Sequence, residues 1–212
     1  MQFPEAVILV FAKAPIAGEV KTRLIPALGT AAATDLHAQL VRHTLTTVVY
    51  ADICPVQLWC APDTTHPFFA ECQRNFAVTL HTQQGSDLGA RMVHAFDAAL
   101  QEYRRAVIIG SDCPLLTAHD ITTTLSALRD GYNAVLGPAQ DGGYVLLGLK
   151  QAPPALFDNI PWGTANVLVL TRERLQQLQW RVTELAPHWD VDRPEDLAHP
   201  FMQKLLLEIS PE

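Results

Sequence analysis

Lys13, Lys21 and Arg23 stand at the end of an apolar run, in Val10-Phe-Ala-Lys-Ala-Pro-Ile-Ala-Gly-Glu-Val-Lys-Thr-Arg-Leu24. Fixed cations on a loop bent by proline and by Gly18 suit phosphate groups, because cations and backbone N–H donors offset the negative charge. The same residues also read as a solvated basic loop. The segment is not a P-loop. That pattern needs glycine immediately before lysine, and here two residues separate Gly18 from Lys21.

A second segment, Val107-Ile-Ile-Gly-Ser-Asp-Cys-Pro-Leu-Leu116, carries Asp112 just past a buried strand that Pro114 brings to a stop. A carboxylate there can hold a hard divalent cation, since Mg²⁺ takes one or two protein carboxylates together with phosphate oxygens. Capping of a turn is the other reading. In His188-Trp-Asp-Val-Asp-Arg-Pro-Glu-Asp-Leu197 the alternation of Asp190 and Asp192 puts both on one side of an extended chain. Asp192 is then either a second metal carboxylate or the N-cap of a helix that begins with Pro194.

Three further segments offer substrate contacts. Gly137-Pro-Ala-Gln-Asp-Gly-Gly-Tyr144 joins two strands, and Asp141, Gly142, Gly143 and Tyr144 read either as a plain hairpin or as a place where backbone approaches a ligand. Arg91, in Gln84-Gly-Ser-Asp-Leu-Gly-Ala-Arg91, reaches a phosphate or pairs with an acid, and Asp87 caps the helix that follows. Trp162 lines a pocket or packs on the surface. No G-x-G-x-x-G follows the first strand and no G-x-S-x-G occurs. The eight histidines are scattered and read as surface or packing residues.

These groups need a scaffold, and the composition provides for one. The 212 residues are 49% hydrophobic and 17% charged, enough for one well-cored domain over 1–212. A net charge of -7 argues against a nucleic-acid surface, so an anionic ligand must be met by a local cluster of cations. No apolar stretch reaches the ~18 residues that span a bilayer, and no signal peptide is evident. Cys54, Cys60, Cys72 and Cys113 lack metal or disulfide spacing and read as buried, reduced thiols of a cytoplasmic protein.

Apolar runs without polar alternation predict strands at Ala6–Ala12, Val56–Ala61, Val78–Thr82, Ala106–Gly110, Ala134–Gly137, Tyr144–Leu149 and Arg181–Leu185. Helices are expected over Ala31–Val49, Pro67–Asn75, Leu88–Tyr103, Ala118–Arg129 and Asn166–Leu178, the fourth capped by Thr117. Strands alternating with helices make an α/β sandwich around a mainly parallel sheet.

Taken together, the Phe11-Ala-Lys-Ala-Pro…Gly18…Val20-Lys-Thr-Arg-Leu24 loop, Gly110-Ser-Asp-Cys-Pro-Leu-Leu116, Gly137-Pro…Asp141-Gly-Gly-Tyr144, Trp162…Thr164 and Asp190-Val-Asp192…Pro194-Glu-Asp-Leu197 resemble a bacterial family of glycosyltransferase-A-like proteins, DUF2064. The chain is also similar to the phospholactate guanylyltransferases and, more distantly, to the molybdenum-cofactor guanylyltransferases. The resemblance implies a nucleotide-diphospho-sugar-transferase fold, a three-layer α/β/α sandwich with a mixed, mostly parallel sheet. It implies that Lys21 and Arg23 bind the phosphates and that Asp112 and Asp192 hold Mg²⁺ or Mn²⁺. Glu19, Val145 and Gly163 depart from the family pattern.

The function expected is transfer of a nucleotidyl group from an NTP to a small phosphorylated or carboxylated acceptor, with Lys21, Arg23 and Asp112 at the reaction centre. Glycosyl transfer from a nucleotide sugar and non-catalytic nucleotide binding are the alternatives. The partners are therefore small molecules, acting on a monomer or a homodimer.

Overall fold

The computed structural model describes residues 1–209. Seven strands form one sheet: β1 (Ala6–Lys13), β2 (Val56–Ala61), β3 (Thr79–Thr82), β4 (Arg105–Gly110), β5 (Ala134–Pro138), β6 (Tyr144–Leu149) and β7 (Val182–Glu184). Their order is β3-β2-β1-β4-β6-β5-β7. All neighbouring pairs are parallel except the two made by β6, which runs against both β4 and β5. The helices are α1 (Ile25–Leu28), α2 (Thr30–Tyr50), α3 (Pro67–Phe76), α4 (Leu88–Leu100), α5 (Ala118–Arg129), α6 (Val167–Gln177) and α7 (Pro200–Ile209). This is the mixed, mostly parallel α/β/α sandwich anticipated above.

β1 shows why the sheet is central. Residues Ala6 to Ala12 are all buried, and their side chains divide by the two-residue period of a strand. Ile8, Val10 and Ala12 enter the cluster formed with Val41 and Leu45 of α2, Phe69 of α3 and Ile121 of α5. Val7, Leu9 and Phe11 enter the opposite cluster, with Met92 and Phe96 of α4 and Leu168 of α6. Burying each of the larger of these side chains stabilises the fold by ~1.5–3 kcal/mol. A smaller third cluster joins Leu24, Leu36 and Leu40 to Val191 and to Met202 of α7.

Helix starts follow their caps. The Asp87 carboxylate accepts from the Ala90 amide, and Thr117 with Asp120 forms a reciprocal capping box. Two differences from expectation concern helices. α4 stops at Leu100 instead of Tyr103, because the amides of Glu102 and Tyr103 both turn back to the Ala99 carbonyl before Arg104 reaches Glu5. α1 and α7 are additional, and α7 is held by Phe201 edge-on against His43 of α2. No helix among the described residues is long and apolar enough to cross a membrane.

All four cysteines are unpaired and buried. Burial pushes the thiols of Cys54, Cys60 and Cys113 up to about 12 and that of Cys72 to about 11. The folded state therefore keeps protons that the unfolded chain loses near its ordinary value of 9. This contribution to stability is complete below pH 9 and declines as the pH rises toward 12. Ellman's reagent at pH 8 should leave all four thiols nearly untouched until urea unfolds the protein, and a thiol that reacts at the free rate in the native state would contradict this packing.

Candidate functional site

The strand order reverses between β1, which leads to β2 on one side, and β4 on the other. Ligands of open α/β sheets bind beyond the C-terminal strand ends at such a switch point. Phe11 pairs with Gly110 and Lys13 with Ala61, so β1, β2 and β4 end close together. A cleft of about 450 Å³ opens there, lined by Lys13, Glu19, Lys21, Arg23, His37, Gln83, Asp112 and Asp192 among others. Three segments far apart in sequence meet in it.

The loop after β1 is fixed at several points. The Gln83 side-chain amide donates to the carbonyls of Ala12 and Trp59, and the Ala14 amide donates to Ala61. Gly18 has φ 85 in a turn closed from Glu19 N–H to Ile16 C=O, and open space surrounds its Cα. Lys21 itself adopts a left-handed backbone, φ 48 and ψ 37, which costs a side-chain-bearing residue ~1–3 kcal/mol unless its surroundings enforce it. They do. Leu24, three residues on, is fully buried, while the Lys21 side chain, 4% exposed, lies against Asp112 at 2.7 Å and donates to the Val191 carbonyl.

Asp112 is the receiving group. Burial works to raise its pKa, but the Lys21 ammonium and then His37 outweigh burial and hold the carboxyl below its ordinary value. The backbone carbonyl of Asp112 also accepts from the Val191 amide, so the 188–193 segment is tied to the end of β4. On that segment Asp192 pairs with Arg23. The capping reading of Asp192 is corrected here: Asp196 accepts from the amides of both Asp192 and Arg193, which leaves the Asp192 side chain turned to the cleft.

Asp190 lies beside these groups in an adjoining depression with Asp141 and Asp192. Burial first, then the charges of Asp141 and Asp112, push its carboxyl up to about 6. Negative potential thus accumulates at this corner, which favours a cation. Among the described residues no group of three or more His, Cys, Asp or Glu is placed to hold a metal. The donor set fits a hard cation that takes one or two carboxylates and completes its shell from a ligand's phosphates, and it does not fit a fully caged resident metal.

Lys13 lines the cleft with its side chain exposed, and its carbonyl is bonded by His37. His37, 5% exposed on α2, is the one cleft residue that the sequence left among packing histidines. Burial lowers its pKa, with Asp112 pulling the other way. Its only cue was its place among Ala33, Leu36, Leu40 and Val41 on the buried face of a helix.

The other expected contacts lie further out. Arg91 donates to Gly85 and lines a side depression with Lys13 and Glu19, at the edge of the cleft. Tyr144 borders a small apolar slot of about 110 Å³ that shares Phe11, Leu88 and Gly110 with the main cleft. Burial raises its phenol pKa. Trp162 does not line the cleft; it packs on Gly89 and edge-on against Tyr144 at 6.5 Å. Gly143 donates to its own Asp141 carboxylate in a closed turn. The close approach expected at Gly142 is to this chain itself, since a Cβ there would meet the Ala165 carbonyl oxygen at 2.4 Å.

Gly142→Ala combines a positive φ with that collision and should cost about 2 kcal/mol or more. Gly18→Ala, strained but unobstructed, should cost only about 1 kcal/mol. Urea titrations of the two variants check the order, and the reverse order would refute the assignment of Gly142 to packing.

Residues 44–164 match the family described as an uncharacterized protein conserved in bacteria, DUF2064. Among solved structures, a candidate nucleotide-diphospho-sugar transferase from Desulfovibrio desulfuricans is 30% identical, with a TM-score of 0.81 over 99% of this chain and 100% of that one. A 4-diphosphocytidyl-2C-methyl-D-erythritol synthase from Anaerococcus prevotii is 12% identical, with a TM-score of 0.62 over 96% and 99%. The inositol-1-phosphate CTP transferase of T. maritima is 11% identical, with a TM-score of 0.59 over 97% and 96%. At these last identities the likeness is one of fold. No curated protein matches the chain.

Proposed function

The chain belongs to the DUF2064 family, and on that footing we propose that it is a transferase that binds a nucleotide through its phosphates and moves the nucleotidyl group of an NTP to a small acceptor. The observation that carries this reading is the convergence of Lys21, Arg23 and Lys13 with Asp112 and Asp192 in one cleft at the switch point of the sheet. The Desulfovibrio protein, 30% identical and of nucleotide-linked chemistry by description, supports the nucleotide-binding part of it.

In this reading an acceptor oxygen attacks the α-phosphorus. A new P–O bond forms as the bond to the bridging oxygen breaks and pyrophosphate departs with the electron pair; an attacking phosphate or carboxylate oxygen is already ionised near neutral pH, so no proton has to be removed. Lys21 and Arg23 offset charge on the phosphate oxygens, and Lys13 adds a third cation at the mouth. His37 acts indirectly by holding the Lys13 carbonyl, and with it the end of β1. Asp112 and Asp192 would hold Mg²⁺ or Mn²⁺, which when bound neutralises phosphate charge. A phosphorylated or carboxylated acceptor is the class proposed for this transfer.

Glycosyl transfer from a nucleotide sugar is a second reading, favoured by one feature. The depression next to the cleft is lined by Asp141, Asp190 and Gln140, whose side-chain oxygens can accept hydrogen bonds from hydroxyls, and its carboxylates outnumber its one cation, Arg193.

Thermal unfolding of the protein with NTPs and nucleotide sugars, with Mg²⁺ or Mn²⁺, tests the shared core of both readings. A ligand at ~100 times its Kd should add roughly 2.7 kcal/mol of stability, and Lys21→Ala should remove that gain. With a turned-over substrate Lys21→Ala should lose about 2–4 kcal/mol of transition-state stabilisation. Pyrophosphate as product supports nucleotidyl transfer and a nucleoside diphosphate supports glycosyl transfer; full turnover by Lys21→Ala would refute the site.

A further inference from the structure

Charge in the cleft is balanced within the chain. Its lining carries three cations, Lys13, Lys21 and Arg23, and three carboxylates, Glu19, Asp112 and Asp192. Two of the cations are engaged. Lys21 is held by Asp112 at 2.7 Å with its side chain almost fully buried, and Arg23 is paired with Asp192. Asp190 and Asp141 add negative charge next to these pairs.

A phosphate entering alone would therefore find little free positive charge. To reach Lys21 or Arg23 it must separate them from their partners, leaving Asp112 or Asp192 unpaired in a partly buried place. The freed carboxylate then faces the phosphate at close range, and repulsion between the two negative charges offsets much of what the new contact returns. A divalent cation entering alone faces the mirror problem, because it must displace an ammonium or a guanidinium from the same carboxylates. If both enter together the partners exchange: phosphate oxygens take the cations, the metal ion takes the carboxylates, and no charge is stranded.

We infer that Asp112 and Asp192 are internal competitors for the phosphate-binding cations, so that the cleft admits a phosphate chain and a divalent cation as one unit and rejects either alone. The inference rests on the phosphate-binding reading above. It adds a selectivity, namely exclusion of metal-free phosphates, and a direction that ordinary metal ligation does not share. Losing a carboxylate that serves only as a metal ligand weakens binding in Mg²⁺ and frees no cation for binding in its absence. Removing an internal competitor strengthens metal-free binding.

Isothermal titration calorimetry with inorganic pyrophosphate, and separately with an NTP panel, in EDTA and in Mg²⁺, tests this on the intact chain. In wild type, Mg²⁺ should tighten pyrophosphate binding at least tenfold. In Asp192→Asn, which frees Arg23, binding in EDTA should tighten several-fold over wild type and the gain from Mg²⁺ should shrink. Asp192→Asn with Arg23→Gln should lose the gain. Asp112→Asn, freeing Lys21 instead, provides a second variant if the first melts early. Equal wild-type binding with and without metal, or weaker EDTA binding by both Asp→Asn variants, would overturn the inference. Metal-coupled pyrophosphate binding without any NTP binding would uphold the exchange and remove the nucleotide reading. Metal-independent NTP binding would do the opposite. Silence of both probes under all conditions would remove both.

Discussion

β1 and β4 run side by side in the same direction, so both must release their chains at one edge of the sheet, and the residues that follow them have to share that space. Two-sided burial forces this arrangement. β1 and β4 are apolar along most of their length, and only a sheet covered on both faces removes all of that surface from water. The helices serve that burial. The cleft is what remains where neither strand nor helix covers the strand ends, and its polar residues stand on the most rigid part of the molecule.

This origin explains which features could be read from the chain. Strand positions were legible because uninterrupted Val, Ile and Leu have a single physical interpretation in a protein of this composition. The functional loop after β1 and Asp112 after β4 were legible because apolar runs that stop abruptly at proline, glycine and charge mark strand ends. The pairing of those charges was not legible. Nothing local to Lys21 indicates that its ammonium is buried against Asp112 and the Val191 carbonyl, and nothing local to Asp192 indicates that its carboxylate pairs with Arg23. Gly142 misleads for the same reason: its Asp-Gly-Gly setting reads as an open turn, while the backbone that fills it belongs to Ala165. His37 was hidden by good company, since apart from it and Thr44 the buried face of α2 is apolar.

The backbone of Lys21 shows how such a site is kept in order. A left-handed lysine would relax if its neighbours were soft. Leu24 on one side is anchored in the cluster with Leu36, Leu40 and Val191, and the side chain on the other is held by Asp112. The hydrophobic anchor and the ion pair thus work on the same short stretch from opposite directions. Preorganisation of this kind lowers the entropy that remains to be lost when a ligand is positioned.

The sequence distances in this cleft also have a meaning in time. Lys21 bonds to a carbonyl 170 residues later, and Arg23 pairs with a carboxylate 169 residues later. At roughly 5–20 residues per second of synthesis, the interval between their emergence from a ribosome is on the order of ten seconds or more. Throughout that interval the sheet can assemble from β1 to β4 and Lys21 can already meet Asp112, but Arg23 and the second bond of Lys21 lack their partners Asp192 and Val191. The wall of the cleft formed by Val191 and Asp192 is therefore the last part to set, and a nascent chain halted before residue 190 would have the scaffold without the finished cleft.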